Sequence, residues 1–177
     1  MSSDKNRVYL PSEDTAVLAK ALRSYSGERC LEIGFGSGAI LESLTPRFGI
    51  VVGTDVLTLE EAGAAKGGAE VVLADRARCF RDAVFDLVAF NPPYLPSDSF
   101  EDRTVDGGEL GLEIPLGFLD EALRVVRRGG NIVLLLSDQA DIEQFLRMCE
   151  GRGALVEEVA RTPLFFESLV VFRITRA

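Results

Sequence analysis

The stretch "LEIGFGSGA", residues 31–39, joins the end of an apolar segment to the start of a helical pattern. Glycine recurs at Gly34, Gly36 and Gly38, where a missing Cβ lets the backbone turn sharply and approach a ligand closely. Gly34, Gly36 and Ala39 fit the G-x-G-x-x-G/A fingerprint of dinucleotide-binding βαβ units, and Asp55 follows where an acid would bind ribose hydroxyls. The stretch therefore predicts a nucleoside-containing cofactor. The alternative is a plain tight turn with a helix-capping or surface Asp55.

Apolar segments of strand length alternate with helical patterns along the chain, which is typical of an α/β domain with a largely parallel sheet. Predicted strands cover 29–33, 50–54, 70–74, 85–90, 131–136, 154–159 and 168–174, the last two as an antiparallel hairpin. Predicted helices cover 12–24, 39–47, 114–126 and 138–152, with a further one that ends near residue 66. We expect one Rossmann-like domain over 1–177, with a mostly parallel seven-stranded sheet and with 1–28 as an N-terminal arm and helix.

Two boundary signals lie between the fourth and fifth predicted strands. Residues 96–108 form a polar stretch that predicts a long loop. Residues 127–130 are two arginines followed by two glycines. Cations and a left-handed glycine are typical of helix C-termini, so this run predicts the end of the preceding helix.

Polar residues stand at the ends of three predicted strands, at Asp55, Asp75 and Asn91. In open parallel sheets, ligands bind at the carboxyl edge where these residues fall. Glu32 lies inside an apolar strand, where an acid is costly unless it meets a polar partner. The ammonium group of S-adenosylmethionine would offset that cost, whereas a nicotinamide dinucleotide would bring a pyrophosphate, which a carboxylate disfavours. An acid that caps a neighbouring backbone group is the alternative.

The segment Asn91-Pro92-Pro93-Tyr94 follows the fourth predicted strand and is rigid by sequence. Each proline fixes its own φ and keeps the residue before it extended. The Asn91 side-chain oxygen and the Pro92 carbonyl can both accept hydrogen bonds from one NH₂ group, and Tyr94 can lie against a planar group. The segment therefore predicts a site for a planar amino group, in a carboxamide or a nucleobase. An ordinary strand-ending turn is the alternative.

Composition excludes several classes of function. The chain has 177 residues, 47% of them hydrophobic, and a net charge of −9. Such a surface repels nucleic acid, so we expect no nucleic-acid partner. There is no histidine, and the three cysteines are isolated, which excludes histidine-dependent catalysis and predicts no metal site. No apolar run approaches the length of a membrane span and no export signal opens the chain, so we expect a cytoplasmic protein.

Residues 32–38, Asp55, Asp75 and 91–94 together resemble the class I S-adenosylmethionine-dependent methyltransferases that modify planar amino nitrogens. Residues 8–15, "VYLPSEDT", are similar to the "VYEPAEDT" arm of the archaeal and eukaryotic relatives of the HemK group. The resemblance spans nearly the whole chain. It implies transfer of a methyl group to the glutamine amide nitrogen in the Gly-Gly-Gln motif of a class 1 translation release factor. The alternatives are N6-adenine methylation of nucleic acid, lysine-directed protein methylation, or an inactive scaffold that only binds a partner.

The resemblance also implies the site residues for S-adenosylmethionine. They are Thr15, Glu32, Gly34, Gly36, Gly38, Asp55, Asp75, Arg76 and Asn91. Thr15 and Glu32 would contact the methionine part of the cofactor, and Asp55 would hold its ribose hydroxyls. Asp75 and Arg76 would border its adenine.

For catalysis, the resemblance implies Asn91 and Pro92 as acceptors for the target amide, with Tyr94 packed beside it. Residues 107–112, "GGELGL", depart from the family, because leucines stand at two places that are usually polar. Contacts between this loop and the substrate are therefore in doubt.

The resemblance implies a partner as well. Archaeal and eukaryotic members pair with a small zinc-binding activator protein, whereas bacterial members carry an extra N-terminal helical domain that we expect to be missing here. Residues 71–73 are apolar and belong to a predicted edge strand, which is a surface that invites another chain.

Overall fold

The computed structural model describes residues 11–56, 67–97 and 104–176. Within these ranges the strands are β1 (Gly27–Ile33), β2 (Phe48–Asp55), β3 (Glu70–Leu73), β4 (Phe85–Phe90), β5 (Leu95–Pro96), β6 (Asp106–Gly108), β7 (Val126–Ser137), β8 (Ala154–Pro163) and β9 (Ser168–Arg176). The helices are α1 (Glu13–Ala21), α2 (Ala39–Leu44), α3 (Glu113–Val125) and α4 (Ile142–Glu150). A short 3-10 turn, Leu22–Ser24, follows α1.

Among the described residues, seven strands form one sheet in the order β3-β2-β1-β4-β7-β9-β8. The pairs from β3 across to β7 are parallel, and β9 runs antiparallel to both β7 and β8. The predicted Rossmann-like sheet with a C-terminal antiparallel hairpin is therefore confirmed. Strand order reverses between β1 and β4, and that reversal is where open α/β sheets bind ligands.

Two apolar layers cover the two faces of the sheet. Helices α3 and α4 pack on one face, through residues that include Leu119 and Phe145, and α1 and α2 pack on the other, through Leu18 and Leu41. Strands β4 and β7 are buried on both sides, which explains their continuous apolar runs. Each fully buried side chain of this size contributes about 1.5–3 kcal/mol to folding, so the core holds the strand ends firmly in place.

The boundary between α3 and β7 differs from the prediction. Residues 127–130 do not end the helix but lie inside β7, which starts at Val126. Val126 is extended at ψ 135°, and its N–H still donates to the Ala122 carbonyl of the helix. Val126 pairs with Phe85, and the ladder then skips to Leu87. The left-handed glycine at 129, with φ +75°, belongs to this irregular strand rather than to a helix cap.

Other boundaries differ in detail. The last helix begins at Ile142 instead of residue 138, because the Asp141 carboxylate caps it by accepting from the backbone N–H of Gln144 at 2.9 Å. The predicted loop 96–108 contains a short parallel pair, β5 with β6, between its described ends. The helix expected to end near residue 66 and the arm residues 8–10 lie outside the described residues. No helix in the described ranges is long and apolar enough to cross a membrane.

Candidate active site

A cavity of about 360 Å³ opens at the carboxyl ends of β1, β2 and β3. It falls within the size range of small-molecule sites, about 300–1,000 Å³. Its lining residues are Ile33, Gly34, Thr54, Asp55, Val56, Ala74, Asp75, Arg76, Pro93, Asp106, Ile114 and Phe118. The cavity therefore reaches the loop after β4 through Pro93, and helix α3 closes one side of it.

The glycine turn after β1 shapes one wall of this cavity. The N–H of Gly34 donates to the Thr54 carbonyl at 2.7 Å, which ties the turn to the end of β2. Gly34 adopts φ +73°, and a Cβ there would lie 3.2 Å from the Phe118 ring. The N–H of Gly36 donates to the Asp55 carboxylate at 3.0 Å, so this acid is fixed at the edge of the cavity. Gly38 caps α2 with φ +77° and has open space around it.

Glu32 is a buried acid, with 3% of its surface exposed. Burial raises the pKa of its carboxyl well above the ordinary value, the backbone N–H of Leu41 partly opposes this, and the charge of Asp55 adds to it. Its Oε2 atom is buried and has no hydrogen-bond partner among the described residues. A buried acceptor without a partner costs about 1–3 kcal/mol, so the site is incomplete without a donor or cation from a ligand.

Asp75 and Arg76 form a second wall with helix α3. Arg76 takes the left-handed backbone region at φ +53°, which is costly for a residue with a side chain. Its guanidinium lies 5.8 Å from the centroid of the Phe118 ring and 3.6 Å from the Asp75 carboxylate. Gly117 leaves room for it, since a Cβ there would come within 3.0 Å of the Arg76 nitrogen. The planar guanidinium of Arg76 is thus held in place in the wall of the cavity.

The side chain of Asn91 is locked by a buried acid that the sequence did not single out. Its Nδ2 donates to Asp14 Oδ2 at 2.8 Å, and Asp14 is only 5% exposed. The other Asp14 oxygen accepts from the Thr15 N–H at 2.6 Å and from the Ser12 hydroxyl. Asn91 Oδ1 is buried and has no partner in the described part of the chain. The amide group therefore keeps its oxygen available as an acceptor.

The loop 107–112 packs closely against the backbone of the segment 91–94. A Cβ on Gly107 would lie 2.7 Å from the Tyr94 Cα, and one on Gly111, where φ is +69°, would overlap the Tyr94 carbonyl oxygen. Leu112 is 3% exposed and belongs to the core. The departure from the family pattern at this leucine thus serves packing, and the glycines serve close backbone contact.

The predicted site residues fall into two neighbouring groups. Four line the cavity, namely Gly34, Asp55, Asp75 and Arg76. Glu32 precedes the lining residue Ile33, and Asp14 joins Thr15 to Asn91. Gly36 and Gly38 shape the turn without lining the cavity.

Sequence reasoning missed Asp14 and Phe118. The run that contains Asp14 predicts only a polar helix start, and nothing local signals that the side chain is buried. Phe118 belongs to the apolar stripe of α3, where a core role is the ordinary expectation.

Comparison with known proteins agrees with this fold, although no protein-family model matches the chain. A Methanocaldococcus jannaschii protein, provisionally named a protein N5-glutamine methyltransferase, is 30% identical over 96% of this chain and 92% of its own length. Methyltransferase HEMK2 of Mus musculus is 28% identical over 82% of this chain and 79% of its own length. The solved Mtq2–Trm112 complex of E. cuniculi, described as responsible for methylating the termination factor eRF1, matches with a TM-score of 0.82 and 29% identity, covering 96% of this chain and 98% of that one.

The sheet order, the glycine turn and the strand-end acids define a class I methyltransferase that uses S-adenosylmethionine as its methyl donor. Within that class, the chain belongs to the protein N5-glutamine methyltransferases of the HemK group. The family and the enzyme class predicted from the motifs are confirmed.

Proposed function

We propose that the protein methylates the side-chain amide nitrogen of the glutamine in the Gly-Gly-Gln motif of a class 1 translation release factor. One observation carries the proposal: the Asn91 amide is oriented by Asp14, so that its buried oxygen is free to accept from a substrate NH₂ group. The relative in E. cuniculi, whose complex methylates a termination factor, supports the choice of substrate.

The residues of the cavity fit S-adenosylmethionine on two observations. The unpartnered Glu32 Oε2 suits the ammonium group of the methionine part, and Thr15 is joined through Asp14 to Asn91. The backbone at Gly34 leaves space that a side chain would fill. Gly36 and Gly38 set the path of the turn.

The remaining cofactor contacts follow from the cavity walls. Asp55 binds the ribose hydroxyls, because its carboxylate sits at the cavity edge and accepts from Gly36. Asp75 and the flat guanidinium of Arg76 border the adenine. Bound there, S-adenosylmethionine supplies an electrophilic methyl group on a sulfonium.

The substrate amide is held by two acceptors. Asn91 Oδ1 and the Pro92 carbonyl take one N–H each, and Tyr94 packs beside the planar group. An amide nitrogen is weakly nucleophilic because its lone pair is delocalised. Acceptors that match the nitrogen as it becomes tetrahedral, and as positive charge grows on it, stabilise the transition state more than the ground state.

Positioning supplies most of the rate enhancement, since the methyl donor is strongly activated. The extra proton on the nitrogen becomes acidic once the new N–C bond forms, and it can pass to water. A chain without histidine is therefore equipped for this reaction.

A small zinc-binding activator subunit pairs with the outer edge of β3. The E. cuniculi relative is a complex of two proteins, which supports a partner of this kind. Strand β3 ends the sheet, and Leu73 is 58% exposed on it. Such an edge offers unpaired backbone groups to another chain.

We place the protein in the cytoplasm as a single domain over 1–177.

The test is incubation of the protein and activator with radiolabelled S-adenosylmethionine and a release factor. We expect label on the Gly-Gly-Gln substrate and none on a matched Gln→Asn form, whose amide is one methylene closer to the backbone. An Asn91→Ala variant is the control for catalysis. Equal labelling of both substrates would overturn the glutamine assignment, and label in adenine of added DNA would favour the N6-adenine alternative.

A further inference from the structure

Two phenylalanines at the tip of the β8–β9 hairpin are exposed to solvent without a partner in the described chain. Phe165 is 90% exposed and Phe166 is 86% exposed. Their rings form an edge-to-face pair, with centroids 4.6 Å apart. Aromatic rings gain most when buried at an interface, and a pair so exposed marks an interaction site.

The turn that carries this pair is fixed in place. The N–H of Leu164 donates to the Glu167 carbonyl at 2.7 Å, so Phe165 and Phe166 are the two central residues of a closed turn. The Ser168 N–H donates to the Asp138 carboxylate at 2.8 Å, which ties the hairpin to the end of β7. The rings are thus presented on a rigid support, and little conformational entropy is lost when they are covered.

The hairpin tip stands at the same edge of the sheet as the active site. Leu134 of β7 pairs with Phe90, the residue before Asn91, while Ser137 pairs with Leu169 of β9. The Ser137–Leu169 pair therefore lies three residues beyond the end of β4, or about 10 Å, and the tip with Phe165 and Phe166 extends roughly 10 Å further. Strand β9 lies two strands from β4, again about 10 Å across.

A continuous surface joins the tip to the substrate segment. Gly111 packs against Tyr94, and Leu110, 41% exposed, accepts from the Asp141 N–H at 3.3 Å. Asp141 ends the turn that begins at Asp138, where the hairpin is tied. A protein that covers about 800 Å² of this face, a disc of radius about 16 Å, would reach both Asn91 and the aromatic pair.

We propose that Phe165 and Phe166 form a docking site for an apolar patch of the folded protein substrate, next to the glutamine that is methylated. This rests on the proposed function, which requires a macromolecule over this edge of the sheet. The activator is assigned to β3, and β3 and β8 are opposite ends of the sheet, so the two partners do not compete.

The experiment compares a Phe165→Ser/Phe166→Ser double variant with a Leu155→Thr control, both with the activator present. Leu155 is 61% exposed on the same hairpin but pairs with Thr175 at the opposite end of it. Three quantities are measured: kcat and KM on the folded release factor, kcat/KM on a ten-residue Gly-Gly-Gln peptide, and the Kd for S-adenosylmethionine.

We expect the double variant to raise KM for the folded factor about tenfold or more, which is the effect of removing an aromatic anchor, with kcat and cofactor Kd unchanged. The peptide should be methylated as by the parent. An unchanged KM, or the same loss on the peptide or in the control, overturns the docking site while leaving the proposed function intact. A parent that is a dimer, together with a double variant that is a monomer with the parent's KM, also overturns the docking site, because the aromatic pair then joins two copies of this chain. Failure of the parent on both substrates overturns the proposed function, and this inference with it.

Discussion

The side-chain amide of Asn91 has two ends of nearly the same shape, and only its oxygen end suits a substrate NH₂ group. Asp14 decides between them. A carboxylate accepts and cannot donate, so it holds the NH₂ end of Asn91 at 2.8 Å and turns the oxygen the other way. If the Asn91 amide rotated freely, its NH₂ end would face the substrate NH₂ group for part of the time, and the transition state would be less stabilised.

Replacing Asp14 by alanine should release this amide. A hydrogen bond to a charged group contributes about 1.5–3 kcal/mol, so we expect kcat to fall about tenfold to hundredfold with the cofactor Kd nearly unchanged. The loss should disappear in an Asn91→Ala background, which a double-mutant cycle of kcat measures. Glu13→Ala, an exposed neighbour, is the matched control. Additive losses from Asp14 and Asn91 would contradict the positioning role.

The buried carboxyl of Glu32 lowers the stability of the free protein and provides an acceptor for the cofactor. Its pKa in the fold lies above the ordinary 4.5, so the folded protein holds a proton that the unfolded chain releases. The stability of the free protein therefore falls as pH rises from about 4.5 towards the raised pKa.

Glu32→Gln removes this pH-dependent cost but keeps the shape. At pH 7 we expect a higher Tm for the free protein, by about 2–4 °C for each kcal/mol recovered, and loss of the Tm increase that S-adenosylmethionine gives the parent. The measurement is thermal unfolding with and without cofactor at several pH values. A variant that is less stable than the parent when free, or that is still stabilised by the cofactor, would contradict this account.

At the scale of elements, the loop 107–112 works as a brace for the substrate segment. It leaves no room for side chains at the two glycines that face Tyr94, and it inserts Leu112 into the core. The prolines of the segment 91–94 restrict its backbone, and the loop 107–112 packs against it at Tyr94.

A pair of glycine variants separates contact from backbone strain. Gly111→Ala and Gly129→Ala both place a side chain at positive φ, +69° and +75°, but the Cβ at 129 meets nothing within 4 Å. Each should lose about 1–2 kcal/mol from the left-handed conformation. Gly111→Ala should lose about 1–3 kcal/mol more from overpacking and should lower kcat as well. Chemical denaturation and activity together check this. Equal stability and activity of the two variants would show that the brace has no role.

Local sequence signals predicted the elements better than their ends. The alternation of apolar runs and helical patterns was sufficient for the order of the helices and of the seven strands of the main sheet in the described ranges, but not for the short pair β5 and β6. It failed at 127–130, where basic residues and glycines have the same local preferences in a helix end as in an irregular strand. Pairing of Val126 with Phe85, a tertiary contact, decides between them.

At the scale of the whole molecule, the sheet separates its two proposed interfaces. The activator edge, β3, and the substrate hairpin, β8 and β9, lie at opposite ends of the strand order. The active site lies between them. Its central bond joins Asn91 to Asp14, 77 residues away in sequence, which is why no local pattern predicted it.

A proline at Val71 should block the partner without damaging the sheet. The Ala74 N–H donates to the Asp55 carbonyl at 2.8 Å, so by alternation the N–H of Val71 points away from β2. Proline is tolerated on an edge strand and removes that donor. We expect Val71→Pro to lose co-purification with the activator, while Val71→Thr, which keeps the N–H, retains it. Retention by both would place the partner elsewhere.

The buried acid of β1 also alters the charge count of the molecule. A net charge of −9 treats every carboxyl as ionised, yet Glu32 keeps its proton over part of the pH range in the free protein. A cationic group that settles against it drives that proton into the solvent. Calorimetric titration with S-adenosylmethionine should therefore give heats that differ between buffers of low and high ionisation enthalpy, in proportion to the protons released, and Glu32→Gln should abolish that difference.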